Sequence, residues 1–225
     1  MQFRLREQLF ALESKYGDSR LAPSEITDLV RKYIRDSNVR VTTKRNNRVD
    51  LGTIVPSGAY DSGDDAEYEP CIHVELLYHP DQQHLQLKDV DWVRVSFEIC
   101  EVIGHEYVHK DQHRRRQRSI SYAGTLAEDQ HVRSDQQYYG ESNEVEAYGY
   151  SIAAELACFH EQDAGHAHLT ETYQLYTRLF AHDQSVIMKL NHYISKYLNK
   201  LKAAQNVKTN TEPGRSTGFV RRTRS

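Results

Sequence analysis

The chain has little of what would place a protein in a membrane or outside the cell. Only 38% of its 225 residues are hydrophobic, and no apolar run approaches the roughly 18 residues that span a bilayer. Residues 1–17 are charged throughout and lack the apolar stretch and cleavage site of a secretory leader. Its three cysteines are odd in number and widely spaced, which does not make a disulfide framework. We therefore expect a soluble cytoplasmic protein without a membrane partner.

A strong charge of one sign is also absent. The formal net charge is −3, so the whole chain has no field that favours nucleic acid. Arg114, Arg115, Arg116 and Arg118 do form a local basic run. Such a run can contact phosphate, but it is more typical of a solvated helix end, where the helix dipole favours cations. We prefer the helix end and keep nucleic acid as an alternative partner.

Length and periodicity predict one helix-rich α+β domain. Apolar residues recur at helical spacing in residues 3–16, after Pro23, and from residue 170 to 201 with a break at residues 182–183. Residues 206–225 are polar, basic and contain glycine and proline, as in disordered tails. The prediction is a single domain over residues 1–205 followed by a disordered basic tail.

Alternating apolar residues predict a small antiparallel sheet. Residues 39–43 and 49–55 alternate around Asn46-Asn47, which predicts a hairpin, and residues 56–70 are expected to form a loop. Residues 72–78 alternate again and predict a third strand. If that strand lies at the sheet edge, an extended peptide could pair with it; the pattern alone leaves an interior position equally open.

The most informative stretch is His105-Glu106-Tyr107-Val108-His109, an H-E-x-x-H pattern. On a helix, residues four apart lie on one face about 6 Å apart along the axis, so both imidazoles can reach one zinc ion. Glu106 projects beside them and can act as a general base. With 12 histidines, chance matches occur, but apolar residues at helical spacing before the motif indicate a buried helix, where histidines need a reason to be present.

A third ligand is required for a catalytic zinc site. His113 is about 12 Å along the helix from His105, too far to share an ion. The small-residue-rich segment 142–156 offers Glu144 and Glu146, and small residues let a second helix approach closely. Asn143 and Glu146 have the spacing of an N-cap and its partner, which leaves Glu144 free. We favour Glu144 as the ligand and keep Glu146 as the alternative.

These motifs resemble the gluzincin-type zincin metallopeptidases, in which a glutamate on a following helix joins H-E-x-x-H. Glu144-x-x-Ala147 is similar to the E-x-x-A pattern of compact ImmA/IrrE-like peptidases, and the segment from 141 to 156 to small phage and bacterial metallopeptidases. The chain departs from related patterns at Tyr148, where they often carry Asn or Asp. The resemblance covers residues 97–157 and implies a zincin-like fold.

The expected function is zinc-dependent peptide hydrolysis, with Glu106 accepting a proton from water and passing it to the leaving amine. His105, His109 and Glu144 are the expected zinc ligands. The segment between the motifs is expected to shape the substrate site, and four of its residues are candidates to stabilise the oxyanion: Tyr122, His131, Tyr138 and Tyr139. The alternative is a zincin scaffold that binds partners, nucleic acid included, without catalysis.

Overall fold

A computed structural model describes residues 2–63, 69–119, 135–160 and 162–211. Within these ranges the protein is rich in helix and has a small three-stranded sheet, so the α+β prediction is confirmed. No helix in these ranges is both long enough and apolar enough to cross a bilayer. Residues 206–211 of the predicted tail continue the last helix, and the rest of that tail lies outside the described residues.

The helices follow the apolar spacing of the sequence. In chain order they are α1 (Gln2–Tyr16), α2 (Pro23–Tyr33), α3 (Trp92–Ser119), α4 (Asp135–Gly140), α5 (Ser142–Phe159), α6 (Glu171–Leu179) and α7 (Gln184–Thr211). Two short 3-10 helices cover Leu87–Asp89 and Ala164–Leu169. The predicted break at residues 182–183 separates α6 from α7, and Gly17 directly follows the end of α1.

The sheet is mixed and differs from the predicted antiparallel one. Its strands are β1 (Val39–Arg45), β2 (Val55–Asp61) and β3 (Cys71–Tyr78), in the spatial order β1-β3-β2. β3 runs parallel to β1 and antiparallel to β2. The predicted hairpin is therefore wrong, because β3 lies between the two segments that were expected to pair. The third strand was correctly located, but it is interior and has no free edge for a peptide.

β2 falls largely in the segment predicted to be a loop, because Pro56 and Gly58 resemble turn residues. Proline is tolerated in β2 because this strand lies at the edge of the sheet. Gly58 lies directly against α3, and a Cβ at this position would overlap the side chain of Val102. The glycine thus permits close packing of the sheet on the helix that carries the H-E-x-x-H motif.

Two hydrophobic clusters build the core and meet at the α3–α5 interface. The first joins α1, α2, the sheet and the first half of α3, with Leu9 and Ile99 fully buried. The second joins α5, α6 and α7 around Tyr176 and Leu190. A third, small cluster of Val108, Ala147 and Tyr150 connects α3 to α5. The motif helix therefore lies between the two main clusters.

Gly149 controls how closely α5 packs on α7, because a Cβ at this position would lie 2.5 Å from the Cβ of Tyr193. We expect Gly149→Ala to lower the free energy of unfolding by about 1–2 kcal/mol, since overpacking outweighs the gain in helix propensity. Chemical denaturation followed by circular dichroism measures this change. Gly165→Ala is the control, because its nearest neighbour would lie at an ordinary 3.4 Å. A Gly149→Ala protein as stable as the native one would contradict the expectation.

Candidate metal centre

The start of α3 is fixed by two hydrogen bonds, which set the register of the motif. Asp91 Oδ1 accepts from the backbone N–H of Arg94 at 3.1 Å, so Asp91 caps the helix. The indole N–H of Trp92 donates to the backbone carbonyl of Leu9 at 2.7 Å. These contacts hold α3 against α1 and thereby orient the motif residues further along the helix.

The motif histidines face α5. His105 and His109 lie one helical turn apart on α3. On α5, Glu144, Ala147 and Ser151 recur at spacings of three and four, so they share the face that contacts α3. Ala147 is fully buried, and its small side chain lets the two helices come close. The fold thus brings the two histidines and Glu144 together.

The distances among these three side chains suit one metal ion. His105 Nε2 lies 3.2 Å from His109 Nε2. Glu144 Oε1 is 3.5 Å from His109 Nε2, and Glu144 Oε2 is 3.9 Å from His105 Nε2. Ligand atoms about 2.0–2.1 Å from a tetrahedral zinc ion lie about 3.3–3.4 Å from one another. The observed spacing therefore fits a zinc ion with little rearrangement.

The tautomer of His109 follows from the hydrogen bonds of Gln112. Gln112 Nε2 donates to the carbonyl of Asn143 at 2.9 Å and to Glu146 Oε2 at 3.2 Å. This fixes Gln112 Oε1 towards His109 Nδ1, 3.0 Å away. Because an amide oxygen only accepts, His109 Nδ1 carries the proton and its Nε2 presents a lone pair.

The same reasoning applies to His105. Its Nδ1 lies 3.1 Å from Ser151 Oγ, and the Ser151 hydroxyl donates to the Glu101 carboxylate. Ser151 Oγ is then an acceptor for the proton on Nδ1, which leaves a lone pair on His105 Nε2. Burial, and next the neighbouring His109, lower the pKa of His105 to about 3. The imidazole is therefore neutral at neutral pH, the form that binds a metal.

Three lone-pair acceptors thus converge without a donor between them. Glu144 Oε2 is buried and has no hydrogen-bond partner among the described residues. His105 Nε2 faces this oxygen, and His109 Nε2 faces Oε1 of the same carboxylate. Acceptors gathered in a buried site are unfavourable unless a cation lies between them. Two imidazoles and a carboxylate are a donor set that zinc accepts in catalytic sites. The residues present therefore fit zinc.

Glu146 does not have the capping role predicted for it. α5 begins at Ser142, so Asn143 lies inside the first turn and does not cap the helix. Glu146 is buried and accepts hydrogen bonds from four side chains: Gln112, Arg115, Lys196 and Tyr197. Burial alone would raise the pKa of Glu146, but these donors outweigh it and lower the pKa to about 2. Glu146 therefore contacts Gln112, which in turn orients the candidate ligand His109.

Glu106, the predicted general base, lies beside the ligands and faces β2. Its buried carboxylate accepts a hydrogen bond from the backbone N–H of Tyr60. Burial, and next the negative charge of Glu144, raise the pKa of Glu106 to about 7, although the Tyr60 hydrogen bond opposes the shift. A carboxyl group with this pKa can both take up and release a proton near neutral pH.

The four residues predicted as possible oxyanion stabilisers differ in what the structure says of them. Tyr122 and His131 lie outside the described residues. The Tyr138 hydroxyl donates to the Glu144 carboxylate and is close enough to Glu106 for their charges to interact. Tyr139 belongs to an aromatic cluster, where its ring centroid lies 5.2–5.7 Å from three others: those of Tyr138, Tyr148 and Tyr176. Of the two candidates that the structure describes, Tyr138 is the one that contacts a candidate ligand.

Tyr148 and the basic run also have structural contacts. The Tyr148 ring packs edge-on against His105 with a centroid distance of 4.7 Å, so an aromatic contact stands where related patterns carry a polar residue. Arg114, Arg115 and Arg116 are exposed near the end of α3, while the Arg118 side chain lies outside the described part. Arg115 forms an ion pair with Glu146 at 3.0 Å, so one member of the run stabilises the site instead of remaining free for phosphate.

Comparison with known proteins identified no relative of this chain. No family model, no curated protein and no solved structure matches the chain. The zincin resemblance therefore remains a hypothesis based on the H-E-x-x-H and E-x-x-A patterns.

Sequence reasoning missed two of the three residues that orient the candidate ligands. Gln112 follows His105 by two helical turns, so the sequence places it on the same helical face, but without a role. Glu101, four residues before His105, and Ser151, seven residues after Glu144, were missed. Their spacings also place a polar residue on the same helical face as a candidate ligand, and a search for such spacings would have identified both.

Glu146→Ala tests the support given to the metal site. We expect the metal-free protein to lose about 2–3 kcal/mol of stability, because Lys196 and Arg115 lose a buried partner. Zinc affinity should fall about 10–100-fold, because Gln112 is released from its orientation towards His109. Denaturation and competition with a chromophoric chelator measure the two effects.

The matched control is Glu155→Ala, which removes a carboxylate from the same helix. Glu155 pairs with Arg94 at 3.0 Å and does not contact the ligands or Gln112. This variant should lose stability but bind zinc as tightly as the native protein. Equal zinc affinity in native protein and Glu146→Ala would show that Glu146 does not support the site.

Proposed function

We propose that this protein is a zinc-dependent peptidase. The observation that carries the proposal is the convergence of three lone pairs, from Nε2 of His105, Nε2 of His109 and the Glu144 carboxylate, whose Oε2 has no hydrogen-bond donor among the described residues. These residues would hold the ion. Zinc, when bound, polarises a carbonyl group and lowers the pKa of water. The carboxylate of Glu106 lies beside these residues and is not needed as a ligand, so it is available to take a proton from water. Hydrolysis is therefore the reaction class that fits best.

Glu106 is the proposed general base and general acid. It takes a proton from the attacking water and passes it to the nitrogen of the leaving amine. Burial and the charge of Glu144 raise the pKa of Glu106 to about 7 in the metal-free protein, and a bound dication would lower that pKa, so that the carboxylate is ionised and able to accept a proton. The Tyr60 N–H holds the carboxylate between α3 and β2, so that it stays beside the ligands without joining them.

The position of β2 supports a peptide as the substrate. β2 pairs with β3 on one side, and within the described ranges no strand pairs with its other side. It also packs against α3 at Gly58, next to Glu106. An extended peptide can add to such an edge through backbone hydrogen bonds. In this proposal the peptide pairs with β2, and not with the third strand that the sequence had suggested.

Glu106→Gln separates proton transfer from metal binding. We expect the variant to keep its zinc and to lose about 10²–10⁴-fold in turnover, because a general base is removed and no ligand is lost. Zinc content and cleavage of a peptide library, with and without a chelator, measure this. His109→Ala is the comparison that should lose zinc and activity together. Native turnover in Glu106→Gln, or no chelator-sensitive cleavage by native protein, would refute the proposal.

Tyr138→Phe tests the proposed oxyanion stabiliser. If the hydroxyl donates to the developing oxyanion, kcat at saturating zinc should fall about 10²–10³-fold with little change in KM. Tyr139→Phe is the control, because that ring packs among other tyrosines away from the ligands. A Tyr138→Phe protein that weakens zinc binding but regains full kcat at saturating zinc would assign Tyr138 to positioning Glu144 only.

A further inference from the structure

A second group of metal-binding side chains lies at one end of the sheet. Asp61 ends β2 and stands directly opposite Cys71, the first residue of β3, in the antiparallel register. His73 follows Cys71 by two residues, so the three side chains project from the same face of the sheet. Their ligand atoms all lie within 4.8 Å of one another.

This group is separate from the candidate zinc centre. Gly58 and its cross-strand partner Val74 belong to the face of the sheet that packs on α3. Because side chains alternate along a strand, Cys71 and His73 project from the opposite face. Cys71 is buried, His73 is half-buried and Asp61 is exposed. The group therefore reaches from the protein interior to the solvent, which allows an ion to enter.

The local contacts direct these side chains towards one another. Cys71 Sγ lies 2.9 Å from His73 Nε2, and Asp61 Oδ1 accepts from the Gly63 N–H at 3.0 Å. Sulfur and nitrogen ligands of a tetrahedral zinc ion lie about 3.5 Å apart, so binding requires the two to separate by about half an ångström. The cross-strand neighbours of His73 are Arg40 on β1 and Ala59 on β2. The small side chain of Ala59 leaves room for the imidazole to turn towards Asp61, on the side of the sheet away from Arg40.

We propose that Asp61, Cys71 and His73 form a second site for zinc or a similar borderline dication. A thiolate and an imidazole favour such ions over magnesium or calcium, and the carboxylate completes three ligands with one position open. Binding releases the thiol proton to solvent, so affinity falls with acidity. The proposal is independent of the peptidase proposal, since the two sites share no residue.

Cobalt(II) is the probe that distinguishes the two sites. A thiolate ligand gives a sulfur-to-cobalt charge-transfer band in the near ultraviolet, and the first site has only nitrogen and oxygen donors. We expect the full-length native protein to show this band, and His105→Ala to keep it. Cys71→Ala should abolish the band, whereas Cys158→Ala, which removes a thiol elsewhere, should leave it unchanged.

Asp61→Asn keeps the test decisive if Cys71→Ala fails to fold, because Asp61 is exposed. Loss of an outer-shell partner alone costs about 10–100-fold in metal affinity, so loss of this ligand should weaken cobalt binding at least about tenfold. Three results would overturn the proposal: no charge-transfer band at saturating cobalt, a band that survives in Cys71→Ala, or unchanged affinity in Asp61→Asn.

Discussion

The electrostatic constraint at the α3–α5 interface is that three acceptors face one another with no proton between them. Ser151 and Gln112 each accept the Nδ1 proton of a histidine, and this turns both Nε2 lone pairs towards Glu144. The arrangement requires Ala147, because a larger side chain would hold the helices apart. The packing of α3 on α5 and the polar contacts behind the ligands are therefore parts of a single arrangement that a cation completes.

Periodicity was sufficient to predict α1, α2, α3, α5 and the broken helix that forms α6 and α7, because a helical pattern depends on residues close together in the sequence. The short α4 lies in a segment without a clear period and was not predicted. The long helix around His105 and the cap at Asp91 both follow from local rules. The pairing of the strands could not be predicted in this way. Nothing in residues 39–61 indicates that β3 inserts between β1 and β2. Gly58 is a residue type typical of turns, but in the structure it lies within β2 and contacts α3.

Glu146 illustrates the limit of local reasoning about the site. Its spacing from Asn143 matches a capping pair, but its charge is balanced by Lys196 and Tyr197, which lie on α7. Residues so distant in sequence can be assigned as partners only once the packing of α5 on α7 is known. The choice of Glu144 agrees with the geometry, although the capping argument used to reach it was wrong.

The placement of the candidate zinc ligands between two hydrophobic clusters has a consequence for cooperativity. His105 and His109 belong to α3, which completes the first cluster, whereas Glu144 belongs to α5, which contributes to the second. Among the described residues, the two halves are otherwise joined by the small cluster around Ala147, by the edge-on contact of Phe97 with Phe159 and by polar contacts. Hydrogen exchange would then report two separately opening units in the metal-free protein, and a single cooperative unit once an ion links them.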